Sequence, residues 1–269
     1  MPDTTPQSSS TNPSTTDSEA VVRGVSAQPS AMRNIGSEFI ATIMLMLAGP
    51  GLIVLGPSQI STLAVAVAFG AALAIAIGVI GAVANPALSL ALVVVREISV
   101  RAMVQDWTGQ FAGGVVGAAL VWGINEQTRS AQGGNGWDAG AFSELGSVIA
   151  AELVFTVLLV VVFLSTISKG LSTAAIATFT GLASMLGMLV LLGISGGGMN
   201  PARSLGSAIF TDADPNALGQ VAVFIVVPLI AAIAAVFIWL AIDDAAVDDT
   251  LFDETFVDTL GDRIDGTVD

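Results

Sequence analysis

Glu38, Asn85, Glu152, Asn200 and Arg203 are polar side chains set in long apolar stretches, where such groups are costly and mark a site by default. Asn85 and Asn200 each open the same tripeptide, Asn85-Pro86-Ala87 and Asn200-Pro201-Ala202. Asn is a favoured helix cap, and Pro fits the first helical position because its missing N–H would have no intrahelical partner. Each tripeptide therefore reads as a helix start. A helix start carries about half a positive charge in its unpaired N–H groups. Two such ends meeting at one point would make a positive centre, with the Asn amides as added donors. A neutral molecule with an oxygen lone pair can accept there. A cation or hydronium is repelled, and a pore-lining Arg strengthens that barrier. Arg203 follows Asn200 by three residues, about one turn into the helix. Glu38 and Glu152 suit a structural role, each accepting hydrogen bonds from the irregular backbone that leads into a helix start.

The elements that would position these groups are membrane spans. Hydrophobic residues make up 54% of the chain and charged residues 11%, against about a quarter charged in soluble proteins. Mean hydropathy is +0.83. A bilayer core takes about 20 apolar residues as a helix. Six stretches qualify, at about Ile35–Leu55, Thr62–Val83, Met103–Ile124, Leu145–Ile167, Thr173–Ile194 and Leu218–Ile242. With the N-terminus inside, Arg23, Arg33, Arg96, Arg101, Lys169 and Arg263 fall on the cytoplasmic side, as the positive-inside rule asks. Arg129 and Arg203 fall on the other. Two apolar pieces, Pro86–Val95 and Pro201–Phe210, are too short to span and each follows a turn containing Gly. They read as re-entrant half-helices, which are tolerated only where protein or a watery cavity surrounds them.

The chain also repeats. Glu38 and Thr42 return as Glu152 and Thr156 at one offset, and Asn85 returns as Asn200 one residue further along. Each half holds three spans, so the second enters the membrane from the opposite side, an inverted repeat. The fold class is thus an all-α membrane protein of six transmembrane helices plus two re-entrant half-helices. The channel domain is expected over 34–242, with repeats at about 34–124 and 145–242. Residues 1–33, rich in Ser, Thr, Pro and Gln and without a signal-peptide pattern, read as a disordered cytoplasmic tail. Residues 243–269 carry ten acidic residues against Arg263 alone and read as an acidic, disordered cytoplasmic tail. Low Lys with abundant Asp resembles proteins of salt-loving organisms.

Cys and His are both absent. That excludes disulfides, thiolate chemistry and the commonest general base and metal ligand. No metal, cofactor, reaction or nucleic-acid partner is implied. An ion-coupled secondary transporter would need Glu38 and Glu152 as its ion site. An intramembrane enzyme would need a catalytic His or Cys, which the chain lacks, or a Ser-Lys pair placed within the spans, which they lack.

The chain resembles the major intrinsic proteins, the aquaporins and glycerol facilitators, over about Ile35 to Leu240. The resemblance rests on Ser37-Glu38-Phe39-Ile40-Ala41-Thr42, Gly81 with Asn85-Pro86-Ala87, Gln110, Glu152 with Thr156, and Gly198-Met199-Asn200-Pro201-Ala202-Arg203-Ser204-Leu205-Gly206. It implies a multi-pass plasma-membrane channel for water and small uncharged solutes, a homotetramer with one pore per subunit and both termini cytoplasmic. Arg203 becomes the selectivity-filter Arg, joined by Met188, Gly197 and either Val65, by ungapped counting, or Phe69, by the Phe-Gly pair. Met188 stands where water channels carry His and glycerol facilitators Gly. Val83 stands where the family has His before the first motif, and Ser204 where glycerol facilitators carry Asp. The alternative within the family is a glycerol or polyol facilitator.

Overall fold

A computed structural model describes residues 30–57, 60–126, 133–138, 142–212 and 216–243. Among them are eight helices and no strands: α1 (Ala31–Leu55), α2 (Thr62–Ile80), α3 (Pro86–Val94), α4 (Val100–Ile124), α5 (Leu145–Ser168), α6 (Thr173–Ile194), α7 (Pro201–Phe210) and α8 (Ala217–Ile242). Of the tails expected at 1–33 and 243–269, residues 1–29 and 244–269, with Arg23 and Arg263, lie outside the described residues, as does Arg129, whereas residues 31–33 belong to α1, which Ser30 caps, and not to a tail.

Short polar caps fix where most helices begin. Ser30, Ser61, Ser99 and Ser172 each accept a hydrogen bond from the backbone N–H three residues on, and Asn216 caps α8. Such a cap satisfies one of the orphan donors of the first turn. Ser30 starts α1 at Ala31 and Ser99 starts α4 at Val100, each a few residues ahead of the sequence expectation. α2 stops at Ile80 instead of running to Val83. Its last turn widens into a π-type turn over Ala76–Ile80, and Gly81 ends it at φ +74°, a left-handed cap that favours Gly.

α1, α2, α5, α6 and α8 are each long and apolar enough to cross a bilayer. α4 is the sixth span. At 25 residues it is long enough, but Arg101, Asp106, Gln110 and five glycines dilute its apolarity. Asp106 and Gln110 are buried inside the protein, so their polarity does not face lipid. α3 and α7, at 9 and 10 residues, rise only about 14–15 Å, roughly half a bilayer core.

Small residues let the helices approach closely, the usual device where water does not drive association. Gly109, Gly113 and Gly117 recur every fourth position on α4. A Cβ at these positions would run into Ile35 O, Phe39 O and Met46 of α1. Gly114, on the neighbouring face, lies against the Ala202 carbonyl of α7. In the second half α5 packs on α8, as α1 packs on α4 in the first, and α2 with α6 joins the halves. The three-helix unit therefore occurs twice, and each copy carries its half-helix into the other.

Candidate functional site

The two half-helix starts meet head to head inside the bundle. Asn85 caps α3 with extended backbone, and its Oδ1 accepts from Ala87 N at 3.0 Å. Asn200 caps α7, its Oδ1 accepting from Ala202 N and Arg203 N at 3.1 Å each. The amide nitrogens then cross between the halves. Asn85 Nδ2 donates to Met199 O at 2.9 Å, and Asn200 Nδ2 donates to Ala84 O at 2.7 Å. Each Asn thus reaches the carbonyl just before the other Asn. An amide NH2 has two donors, so each Asn spends one N–H on this clasp and keeps one. Both Asn residues are 2% exposed.

Ala84 and Met199, the residues before each Asn, sit at φ +48° and +58°. That left-handed backbone costs a non-glycine residue about 1–2 kcal/mol. Two buried carboxylates hold it in place. Glu38 Oε1 accepts from Val83 N at 2.9 Å and Oε2 from Ala84 N at 2.8 Å. Glu152 Oε1 accepts from Gly198 N at 2.9 Å and Oε2 from Met199 N at 2.7 Å. Hydrogen bonds to a carboxylate are worth roughly twice neutral ones. Gly198 has no Cβ because one there would strike the Glu152 carboxylate.

The third donor to each carboxylate breaks the symmetry. Glu38 receives Gln110 Nε2 from α4 at 2.9 Å, and Glu152 receives Ser195 Oγ. Gln110 also donates to Ser89 Oγ, which donates to Asp106, which accepts from Asn34 Nδ2 at 2.6 Å. Among the described residues the second half has no such chain, since Val148 and Pro228 stand at the repeat positions of Asn34 and Gln110, and Ser204 Oγ, at that of Ser89, finds no partner. A cavity of ≈ 10 Å³, room for about one water, lies beside the first-half chain, lined by Asn34, Glu38, Gly81 and Asp106 among others. Thr42 Oγ1 donates to the Glu38 backbone carbonyl, while its repeat mate Thr156 Oγ1 has no partner among the described residues. Val83 takes part through its backbone N–H alone.

Arg203 is the largest fully buried side chain. Its Nη2 donates to Gly196 O at 2.9 Å and its Nη1 to Asn135 Oδ1, while Nε has no partner among the described residues. Met188 is fully buried on α6, and its Sδ and Cε lie where a Cβ on Gly197 would be. The carbonyl that meets Arg203 is that of Gly196, not Gly197. Val65 and Phe69 share one face of α2 and are both 2% exposed. Phe69 packs against Gly49 and belongs to the apolar cluster that holds Met188 and Met199, and Val65 lies outside that cluster.

The sequence pointed to both Asn-Pro-Ala starts, both carboxylates and Arg203, and the structure brings these together. It did not point to Asn135, Ser195, Asp106 or the left-handed pair Ala84 and Met199. The Gly133-Gly134-Asn135-Gly136 run was the one available signal for Asn135.

Comparison with known proteins agrees with this geometry. The model of the family "Major intrinsic protein" matches residues 25–239. The chain belongs to the major intrinsic protein family. It is a transmembrane channel of that family, not an enzyme. It is 32% identical over 228 residues to Aquaporin Z of Brucella melitensis, covering 77% of this chain and 96% of that one. It is 32% identical over 215 residues to Glycerol uptake facilitator protein-like 6 of Lactiplantibacillus plantarum, with the same two shares. The X-ray structure of the aquaglyceroporin from Plasmodium falciparum superposes with a TM-score of 0.68 at 20% identity, covering 78% of this chain and 96% of the other. That likeness shows the shared fold.

Proposed function

We propose that this channel passes water, together with small neutral solutes, in single file, and bars protons and cations. One observation carries the reading: two half-helix N-termini clasped head to head, each Asn keeping one N–H for a passing oxygen. A water oxygen accepts from both donors in turn while the two positive helix ends repel hydronium. Glu38 and Glu152 act structurally, holding the strained turns that aim the Asn residues. No cofactor or energy coupling enters.

Arg203, Met188, Gly197 and the second-span residue form the selectivity filter. The unpartnered Arg203 Nε supports its role as donor to the solute. Val65 or Phe69, which share one buried face of α2, supplies the fourth wall. Ser204, where glycerol facilitators carry Asp, favours water. Met188, which offers no donor, favours the second reading, a glycerol or polyol facilitator, and the named relatives include one of each kind.

The channel sits in the plasma membrane as a homotetramer with cytoplasmic termini. Residues such as Ile40, Leu63, Val79, Leu186 and Phe237, 56–80% exposed, would face lipid or sister subunits. Replacing Arg203 with Ala in proteoliposomes tests the filter. Re-swelling in glycerol, followed by stopped-flow scattering, is expected to quicken relative to water flux. An unchanged solute profile in correctly inserted protein would refute the filter assignment.

A further inference from the structure

The proposed filter draws on the spans, the second half-helix and the turn that leads into it. The structure adds one from outside them. We propose that Asn135, on the loop between α4 and α5, is a positioning residue for the Arg203 guanidinium. On this view the loop sets what the filter admits. The inference rests on the reading of Arg203 as the filter Arg.

Asn135 is 4% exposed although it lies on a connecting loop. Its Oδ1 accepts from Arg203 Nη1, and its Nδ2 donates to Ser195 O at 3.3 Å. The amide orientation follows from chemistry: a guanidinium only donates and a carbonyl only accepts. Alanine satisfies neither partner, whereas aspartate would keep the acceptor.

The loop is itself fixed from two sides. Gly136 N donates to Ser195 O at 3.1 Å. Gln220 of α8 clasps Trp137, accepting from its N at 2.9 Å and donating to its O at 3.0 Å. The Trp137 ring also meets Phe224 of α8, with centroids 6.2 Å apart. Asn135 is thus held by rigid elements, as a positioning residue must be.

Ser195 closes the circuit. Its carbonyl holds Asn135 and Gly136, and its Oγ donates to Glu152. Glu152 in turn holds Gly198 and Met199, the residues that lead to Asn200. Loop, filter and second Asn-Pro-Ala start belong to one hydrogen-bonded network, whose members act together. Among the described residues Gly196 O is the only other protein acceptor on the guanidinium, so loss of Asn135 leaves a single anchor there. The planar group can then turn about it and change the opening.

The test is a permeability cycle in proteoliposomes with Asn135→Ala, Arg203→Ala and the double variant, read as the ratio of glycerol to water permeability. Asn135→Ala is expected to raise that ratio about fivefold or more, from the loss of a charge-assisted hydrogen bond. The same substitution is expected to change nothing further in the Arg203→Ala background. Asn135→Asp keeps the acceptor for Arg203 but gives up the donor to Ser195 O, so its ratio is expected to lie closer to the parent than that of Asn135→Ala; Asn135→Ser, whose hydroxyl is too short to reach the guanidinium, is expected to raise the ratio as alanine does and carries the test if the alanine variant fails to insert. An effect of Arg203→Ala with none from Asn135→Ala would overturn this proposal and leave the filter reading standing. No effect from either would overturn the filter reading itself. Equal effects of Asn135→Ala in both backgrounds would show that Asn135 does not act through Arg203.

Discussion

Replacing Glu152 with Gln isolates what its carboxylate does. The side chain keeps its shape and length, but one acceptor oxygen becomes a donor NH2. In the native site three donors converge on the two oxygens: Ser195 Oγ, Gly198 N and Met199 N. An amide oxygen can keep the donors of one position and must present N–H groups to the rest. At least one buried N–H, that of Met199 or of Gly198, loses its acceptor. The loss of one such charge-assisted hydrogen bond costs about 1.5–3 kcal/mol. The left-handed Met199 backbone, itself worth about 1–2 kcal/mol of strain, loses its anchor when the unpaired donor is its own. The expected destabilisation is therefore about 1.5–3 kcal/mol, and Glu152→Ala, which removes all three contacts, should cost more. Thermal unfolding of the detergent-purified protein measures the first part, and water flux in proteoliposomes measures the second. Flux should fall because Asn200 is no longer aimed. A Glu152→Gln variant with parental stability and parental flux would refute the idea that the carboxylate holds the turn.

Other outcomes follow from the same geometry. Asn85→Ala removes the α3 cap and one of the two cross-half hydrogen bonds; it should cost about 1–3 kcal/mol, measured by thermal unfolding. Proton leak, followed with a pH dye in the same liposomes, should rise as well. Gly114→Leu places a side chain against the Ala202 carbonyl and should prevent α7 from seating, seen as aggregation on size-exclusion chromatography. Gly198→Ala drives a Cβ into the Glu152 carboxylate and should lower stability as Glu152→Gln does, with the two effects less than additive. Deleting residues 244–269 should leave water permeability intact; lost transport in correctly inserted protein would mean that the acidic tail does more than stay solvated.

Much of this fold is written locally. Asn before Pro at the head of a short apolar piece is a statement about one turn of helix, and both α3 and α7 begin where those residues stand. The long spans are equally legible from apolar length. Their ends are less so, because Ser30 and Ser99 extend α1 and α4 through caps lying outside the apolar runs. α4 shows the limit of hydropathy: Asp106 and Gln110 weaken the signal, yet both are spent on partners inside the bundle. The centre of the site was legible in type and not in arrangement. Nothing in Ala84 or Met199 announces a left-handed residue, since that conformation is imposed by carboxylates more than forty positions away in sequence. The clasp between Asn85 and Asn200 needs both halves folded together. Asn135 lies in a Gly-rich loop that looks like a simple connection until Arg203 is placed beside it. The second-span wall of the filter depended on whether a count or a local Phe-Gly pair set the register, and both positions are buried.

The proposed function makes the two clasped half-helix starts a conduit for water. Its most direct measurement is stopped-flow shrinkage of proteoliposomes holding the full chain under an impermeant osmolyte. The expected result is water flux well above that of empty liposomes, with a dye-reported proton leak no greater than theirs. Water flux equal to that of empty liposomes, from correctly inserted protein, would contradict it.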